Sequence, residues 1–330
     1  MKKSVIIFAM VFGSFLLGSL PVAAMDLGVR PIIPENQRGG QNSYFDLVLE
    51  PGQKQTLYLE LVNHALEEKT FLIEVATAIT DGGGTVSYQQ RSDDFSDDTV
   101  KYPLENLVTA PNEITIEPEG KIAVPIEIKM TYDHFTGIIA GGISVREKSN
   151  VLEINEDASV SIINEYSYSV AVLLRQSEEV VNPELKLNRV HPNQRNFKNV
   201  ICANLQNTEA MYVNEMEIMA QVKKGKDSQP LFEKRTTNLQ MAPNSNFDFI
   251  VPLEGEPFVP GDYVLNLEVK ANNGHWMFQR EFTISKEDAT NYNQTDMTIP
   301  RIPHRLIILV GILVLVIVVL FMIIFKKKKK

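Results

Sequence analysis

The sequence predicts an all-β ectodomain, built as two tandem antiparallel β-sandwiches, followed by one transmembrane α-helix. Three observations predict it. Apolar residues recur at every second position through the central part of the chain. A polar-free run, Leu306 to Phe325, precedes five lysines, Lys326 to Lys330. A single cysteine, Cys202, leaves burial of apolar surface as the means of holding the sheets together.

The first 24 residues read as a cleaved signal peptide. Lys2 and Lys3 lead an apolar run from Val5 to Leu20, and Val22-Ala23-Ala24 places small residues for cleavage before Met25. The run is shorter than the roughly 20 residues a span needs. At the other end, residues 306–325 form a helix about 30 Å long at ~1.5 Å per residue, the thickness of a bilayer core. Residues 326–330 are a lysine tail, which stays cytoplasmic and leaves everything from Met25 to Arg305 outside. That outer part carries 41 acidic and 25 basic residues, a net charge of −16. Such a surface argues against nucleic acid, which selects a basic face, and towards cationic partners.

The strands follow in order. Leu57, Leu59 and Leu61 share one face, then Phe71, Ile73 and Val75. Ile122, Val124, Ile126, Ile128 and Met130 alternate with Ala123, Pro125, Glu127 and Lys129. Tyr166, Tyr168, Val170, Val172 and Leu174 make a longer run, and Met216 to Val222, Phe247 to Leu253, Tyr263 to Val269 and Trp276 to Ile284 continue the pattern. Successive strand side chains point to opposite faces, so each set lines one side of a sheet. Turns punctuate them at Pro51-Gly52, Asp81 to Gly84, Glu119-Gly120, Pro260-Gly261 and Asn272 to Gly274.

A loose repeat organises the strands. Ile114-Thr115-Ile116-Glu117-Pro118 and Leu239-Gln240-Met241-Ala242-Pro243 each lead through a strand to a second apolar strand. Two copies of one immunoglobulin-like design are expected, residues 25–178 and 179–285, with Ser-Glu-Glu and Asn-Pro interrupting the pattern between them. Residues 286–305 turn polar and read as a stalk.

Residues able to carry catalysis are scattered. There is no H-E-x-x-H, no G-x-S-x-G and no phosphate-binding G-x-x-x-x-G-K-[ST] among the 330 residues. Asp93, Asp94, Asp97 and Asp98 lack a glycine for a sharp calcium-binding turn and read as a solvated acidic loop. Gly141-Gly142 reads as a strand bulge. No cofactor and no metal are expected. Catalytic carboxylates need not be adjacent in sequence, so a surface glycan-degrading enzyme is the alternative to a binding protein.

Three stretches resemble the WxL-interacting proteins of Gram-positive bacteria. They are Pro31-Ile32-Ile33-Pro34-Glu35-Asn36-Gln37 with Tyr44-Phe45-Asp46-Leu47 and Pro51-Gly52-Gln53; Asp133 through Phe135-Thr136-Gly137-Ile138-Ile139-Ala140-Gly141-Gly142-Ile143; and Asn164-Glu165-Tyr166-Ser167-Tyr168 onward. The resemblance implies a non-enzymatic adhesion and scaffold protein. Its first domain would bind peptidoglycan and its second host extracellular-matrix proteins, beside surface proteins that carry a W-x-L motif. Trp276 is followed by Met277-Phe278, so this chain is not itself a WxL protein. The family divides its domains just after Gly142 to Lys148, whereas the alternation assigns Tyr166 to Leu174 to the first sandwich. Saccharide recognition needs amides beside exposed aromatic faces, and loops on a rigid scaffold concentrate such contacts. Asn36, Gln37, Tyr44 and Tyr88 are the candidate ligand-binding residues.

Overall fold

In the computed structural model, residues 27–40, 43–89, 97–148, 166–225, 229–300 and 317–318 are described. The expected signal peptide lies outside them, as does the expected membrane helix apart from Ile317 and Val318. Among the described residues no helix is long and apolar enough to cross a membrane.

The chain is mostly β-structure, and the alternating residues land where the pleat sends them. The first four-stranded sheet runs in the order β1 (Leu27–Ile32), β3 (Lys54–Asn63), β9 (Lys121–Lys129), β7 (Val108–Thr109). Facing it is a five-stranded sheet in the order β2 (Phe45–Val48), β11 (Ser167–Arg175), β10 (Ile139–Glu147), β4 (Lys69–Thr77), β8 (Glu113–Ile116). Between them Phe45, Leu47, Leu57, Leu59, Leu61, Phe71, Val124, Ile126, Ile143, Val172 and Leu174 are completely buried. Each such side chain stabilises the fold by about 1.5–3 kcal/mol relative to exposure.

The second pair of layers comprises β12 (Leu185–Arg195), β13 (Lys198–Asn207) and β16 (Ser245–Pro252) against β15 (Phe232–Met241), β14 (Val213–Lys224), β17 (Gly261–Ala271) and β18 (Gly274–Ile284). It has its own core, with Ile201, Leu205, Ile218, Val222, Val251, Leu265 and Val269 at zero exposure. A small hairpin, β5 (Ile79–Thr80) with β6 (Val86–Ser87), forms a separate two-stranded sheet.

Four expectations are corrected. The pairing is not wholly antiparallel, because β2 runs parallel to β11, with Phe45 opposite Val172 and Leu47 opposite Leu174. Alternation reports which face is buried and is the same for either strand direction. Gly141-Gly142 is no bulge, since β10 keeps unbroken register with both β4 and β11. The start of the predicted stalk is a helix, α1 (Lys286–Thr295), capped by Ser285 Oγ, which accepts from the Asp288 amide at 2.9 Å. It is fastened to the second sandwich: Ala289 is buried, Tyr292 packs against Phe258, and Asn293 both accepts from the Phe258 amide and donates to its carbonyl. Asp296, 1 % exposed, accepts from the Asn199 amide at 2.6 Å. Asn, Asp and Ser look like linker residues in a sequence, but here they cap and anchor a short helix. The fourth correction concerns Asp97 and follows below.

The loose repeat has a structural counterpart. Asn63 ends β3 on its buried face, and its side-chain NH2 donates to the Glu67, Ile116 and Glu117 carbonyls while its oxygen accepts from the Ala65 amide. Asn207 ends β13 in the same way, donating to the Met211 and Ala242 carbonyls and accepting from the Glu209 amide. Each asparagine is wholly buried. Each staples the turn that follows the repeated segment, and in both turns the residue after proline, Glu119 or Asn244, has a left-handed backbone.

Candidate binding surfaces

The amide-rich segment Pro34–Arg38 is a strap across one end of the first sandwich. Gln37 turns back on Pro34 through an amide-to-carbonyl bond of 3.1 Å. Its side chain donates to the Tyr44 carbonyl at 3.2 Å and accepts from the Asp46 amide at 3.1 Å, so it serves the otherwise open edge of β2 as a neighbouring strand would. Arg38 continues the strap, its amide donating to the Asp46 carbonyl and its guanidinium pairing with Glu178 at 2.8 Å. That contact holds the Glu178 carboxyl below its usual range. Asp46 lies beneath, gripped by the Arg175 fork at 2.9 and 3.0 Å. Asn36 is exposed and makes a reciprocal amide pair with Gln55, at 2.9 and 2.8 Å. Tyr44 is half-buried, on the face of β2 opposite the core residues Phe45 and Leu47.

Tyr88 belongs elsewhere. It lies on the outer face of the five-stranded sheet, where Gly142, Ser144 and Ser169 are small enough to receive it. A Cβ at Gly142 would sit 2.6 Å from the Tyr88 ring, so the glycine is there for close approach. Ser144 Oγ donates to the Tyr88 carbonyl at 3.2 Å. Burial pushes the Tyr88 phenol upward, and that of Tyr212 from the second sandwich further up. The Tyr212 hydroxyl is buried without a well-formed hydrogen bond among the described residues.

Tyr212 marks a junction between the sandwiches. Ala78, Ile138 and Ala140 from the first bury themselves against Tyr212 and Ala242 from the second. The backbone joins in: the Ile138 amide donates to the Ala210 carbonyl at 2.7 Å and the Gln240 amide to the Gly84 carbonyl at 2.9 Å. Gly137, at φ +101°, leaves no room for a Cβ, which would fall 2.5 Å from the Ala210 carbonyl oxygen. Thr80 Oγ1 meets Ser245 Oγ at 2.6 Å and accepts from the Ala242 amide at 3.0 Å.

Asp97 completes the junction and corrects the expectation of a solvated acidic loop; Asp93 and Asp94 lie outside the described residues. Only 6 % of Asp97 is exposed. It accepts from Gln206 at 2.9 and 3.0 Å and from Asn246 at 2.7 Å, both in the second sandwich. Burial alone would raise its pKa, but hydrogen bonds from Thr99, Asn246 and Gln206 outweigh it and hold the carboxyl below its usual range. Among the described residues no three His, Cys, Asp or Glu side chains gather as a metal site. The Cys202 thiol is buried, and burial pushes its pKa up, away from the reactive thiolate.

Gly137, Ile138 and Ala140 thus line the seam between the two halves, and two family profiles divide along the same chain. One, described as "WxL Interacting Protein, peptidoglycan binding domain", matches residues 28–147. The other, "WxL Interacting Protein, host binding domain", matches residues 157–294. The chain belongs to the WxL-interacting protein family. Its profile border falls ahead of β11, a strand that hydrogen-bonds within the first sandwich. No curated protein matches the chain in sequence. Similar solved structures include the Pseudomonas aeruginosa CupB2 chaperone, at 13% identity over 73% of this chain and 97% of that one, TM-score 0.30. The CsuC-CsuE chaperone-tip adhesion subunit pre-assembly complex of Acinetobacter baumannii matches at 11% identity, 77% and 97% coverage, TM-score 0.32. The E. coli chaperone DraB matches at 10% identity, 78% and 96% coverage, TM-score 0.29. At such scores the likeness carries nothing further.

Of the predicted site residues, the structure brings Gln37 and Tyr44 together directly, pairs Asn36 with Gln55, and sends Tyr88 to the region of the junction. Asp97, Thr80 and Tyr212 are junction residues that the sequence does not show, because nothing in it joins positions so far apart as Asp97 and Gln206 or Tyr212 and Ala140.

Proposed function

We propose that this family member is a non-enzymatic cell-surface binding and scaffold protein. Residues 306–325 anchor it in the membrane as a single span, with the ectodomain towards the cell wall and the lysine tail inside. An immunoglobulin-like domain over residues 25–178 binds peptidoglycan; a second, over 179–285, binds host extracellular-matrix proteins, and WxL-domain surface proteins are its partners in the envelope. The observation that carries this reading is the match of two binding-domain profiles to successive parts of the chain. Asn36, Gln37, Tyr44 and Tyr88 remain the proposed ligand residues, and the exposed Asn36–Gln55 amide pair supports the first of them most directly.

The test is co-sedimentation of the full-length chain, in detergent, with insoluble peptidoglycan. Retention with no release of soluble sugar is the expected result. A chain that stays in the supernatant removes the peptidoglycan role and leaves a protein-binding scaffold. Steady release of sugar, abolished by one Asp or Glu substitution, establishes the glycan-degrading alternative instead.

A further inference from the structure

The outer face of the four-stranded sheet in the first sandwich is open to solvent. On β3 the outward positions are Lys54, Thr56, Tyr58 and Glu60; on β9 they are Lys129, Glu127, Pro125 and Ala123. The register sets Lys54 opposite Lys129, Thr56 opposite Glu127 and Tyr58 opposite Pro125, with Ile32 of β1 on the far side of Tyr58.

Two features need explanation. The first is aromatic. Tyr58 is 44 % exposed, flanked by the exposed apolar surfaces of Ile32 and Pro125, and its hydroxyl takes no hydrogen bond from the described residues. Just past the end of β9, the Tyr132 ring is 72 % exposed and lies across Gly52. Both rings are therefore offered to solvent on the same sandwich. The second feature is electrostatic. Lys54 and Lys129 face each other across the strands, an arrangement that costs stability, and neither forms an ion pair among the described residues. Lys129 instead points its ammonium over the Tyr132 ring at 5.6 Å. In a chain with 41 acidic residues, two directly opposed lysines outside any ion pair among the described residues are a local exception to the overall charge, with Glu127 beside them on the same face. The Glu60 carboxylate on the same face pairs with Arg30 at 2.9 Å and stands six residues along β3 from Lys54, too far to neutralise the lysines.

We infer that this face is a docking platform for a peptidoglycan strand, with Tyr58 stacking on a sugar ring and the Lys54–Lys129 pair receiving a carboxylate of the attached peptide. The inference rests on the peptidoglycan-binding reading above and adds the site. From Lys54 to Glu60 the strand extends about 20 Å at ~3.4 Å per residue, so it spans several sugars. Glu127 and Thr56 lie between the lysines and the tyrosine and provide acceptors for sugar hydroxyl and amide groups. The opposed lysines relieve their mutual repulsion when an anion binds, which is where the charge complementarity lies.

The test compares the full-length wild type in detergent with Tyr58→Ala and with Lys54→Glu/Lys129→Glu, by co-sedimentation with peptidoglycan stripped of covalently attached anionic polymers. All the substituted side chains are outward-facing, and the charge-preserving Lys54→Arg/Lys129→Arg serves as the folding control. Each of the first two variants is expected to bind about tenfold more weakly, as removal of an anchoring aromatic or a charge contact does. The arginine variant is expected to bind as wild type, and wild-type binding to weaken as salt rises. Wild-type retention of both disruptive variants overturns the platform while leaving peptidoglycan binding intact. No retention of the wild type overturns both. Retention only on unstripped material transfers the site to the attached polymers and overturns the peptidoglycan assignment.

Discussion

The turn after the repeated segment occurs once in each sandwich, and the two copies have different fates. In the first sandwich Glu117, Pro118 and Glu119 are exposed to solvent. In the second, Ala242, Pro243 and Ser245 are buried, and the turn is the socket into which Thr80 and Thr99 of the first sandwich fit. The supporting asparagines, Asn63 and Asn207, bond their surroundings alike. The same local design therefore serves as a free end in one copy and as half of a junction in the other. What differs is the residue after proline and the one beyond it. Glu119-Gly120 presents a charge to water, whereas Asn244-Ser245 presents an amide that donates to Thr99 Oγ1 at 3.3 Å and a hydroxyl that meets Thr80 at 2.6 Å.

Removing the staples gives the largest effect. Asn63→Ala strands three carbonyls and an amide in the first sandwich, and Asn207→Ala two carbonyls and an amide in the second. Each is expected to cost about 3 kcal/mol or more, since a buried unsatisfied polar group costs ~1–3 kcal/mol. Calorimetry of the full chain tests the comparison: Asn207→Ala should also loosen the junction, whereas Asn63→Ala should leave it intact. Equal loss of junction contacts in both variants, read by hydrogen exchange at Ile138 and Gln240, would break it.

A smaller effect is expected from Asp97→Ala, which removes the acceptor for Gln206 and Asn246 across the junction and for the Thr99 amide and hydroxyl beside it. The cost is about 1–3 kcal/mol, seen as separation of the two unfolding transitions. The pH dependence has a definite sign. Because the native carboxyl titrates below its ordinary value of about 3.9, its contribution is complete above that value and is lost as pH falls through the depressed one. Wild type should thus keep its junction down to about pH 4 and loosen below it, and Asp97→Ala should lack that acid step. A junction that loosens between pH 5 and 7 would assign the linkage to another group.

The smallest effect belongs to Asn36→Ala. An exposed amide pair contributes little, so stability should change by less than about 0.5 kcal/mol. A loss of peptidoglycan retention in this variant, with the melting temperature unchanged, would sharpen the site to include the strap; unchanged retention would leave Asn36 to its pairing with Gln55.

Much of the fold was legible because burial writes itself into alternation. Leu57, Leu59 and Leu61 are fully buried, as a period of two on one face requires. The next residue on that face, Asn63, is polar, and its place in the alternation is a readable sign of a buried asparagine. Of the candidate site, Asn36, Gln37 and Tyr44 were found as a local group because the strap is contiguous. Its hydrogen bonding to β2 and Gln55 was not legible, since either use of an amide leaves the same residue in the sequence.

The sequence alone determined which residues enter a core, where many of the turns fall, and that no disulfide joins the sheets, because these depend on periodicity and composition along the chain. Tertiary structure decided the rest. It set the direction of β2 beside β11, folded a polar segment into a helix held by Asp296 and Asn293, buried Asp97 among amides 109 and 149 positions away, and left Lys54 facing Lys129. Each is a relation between distant positions, whose free energy depends on distance and on access of water, and neither is defined until the chain has folded.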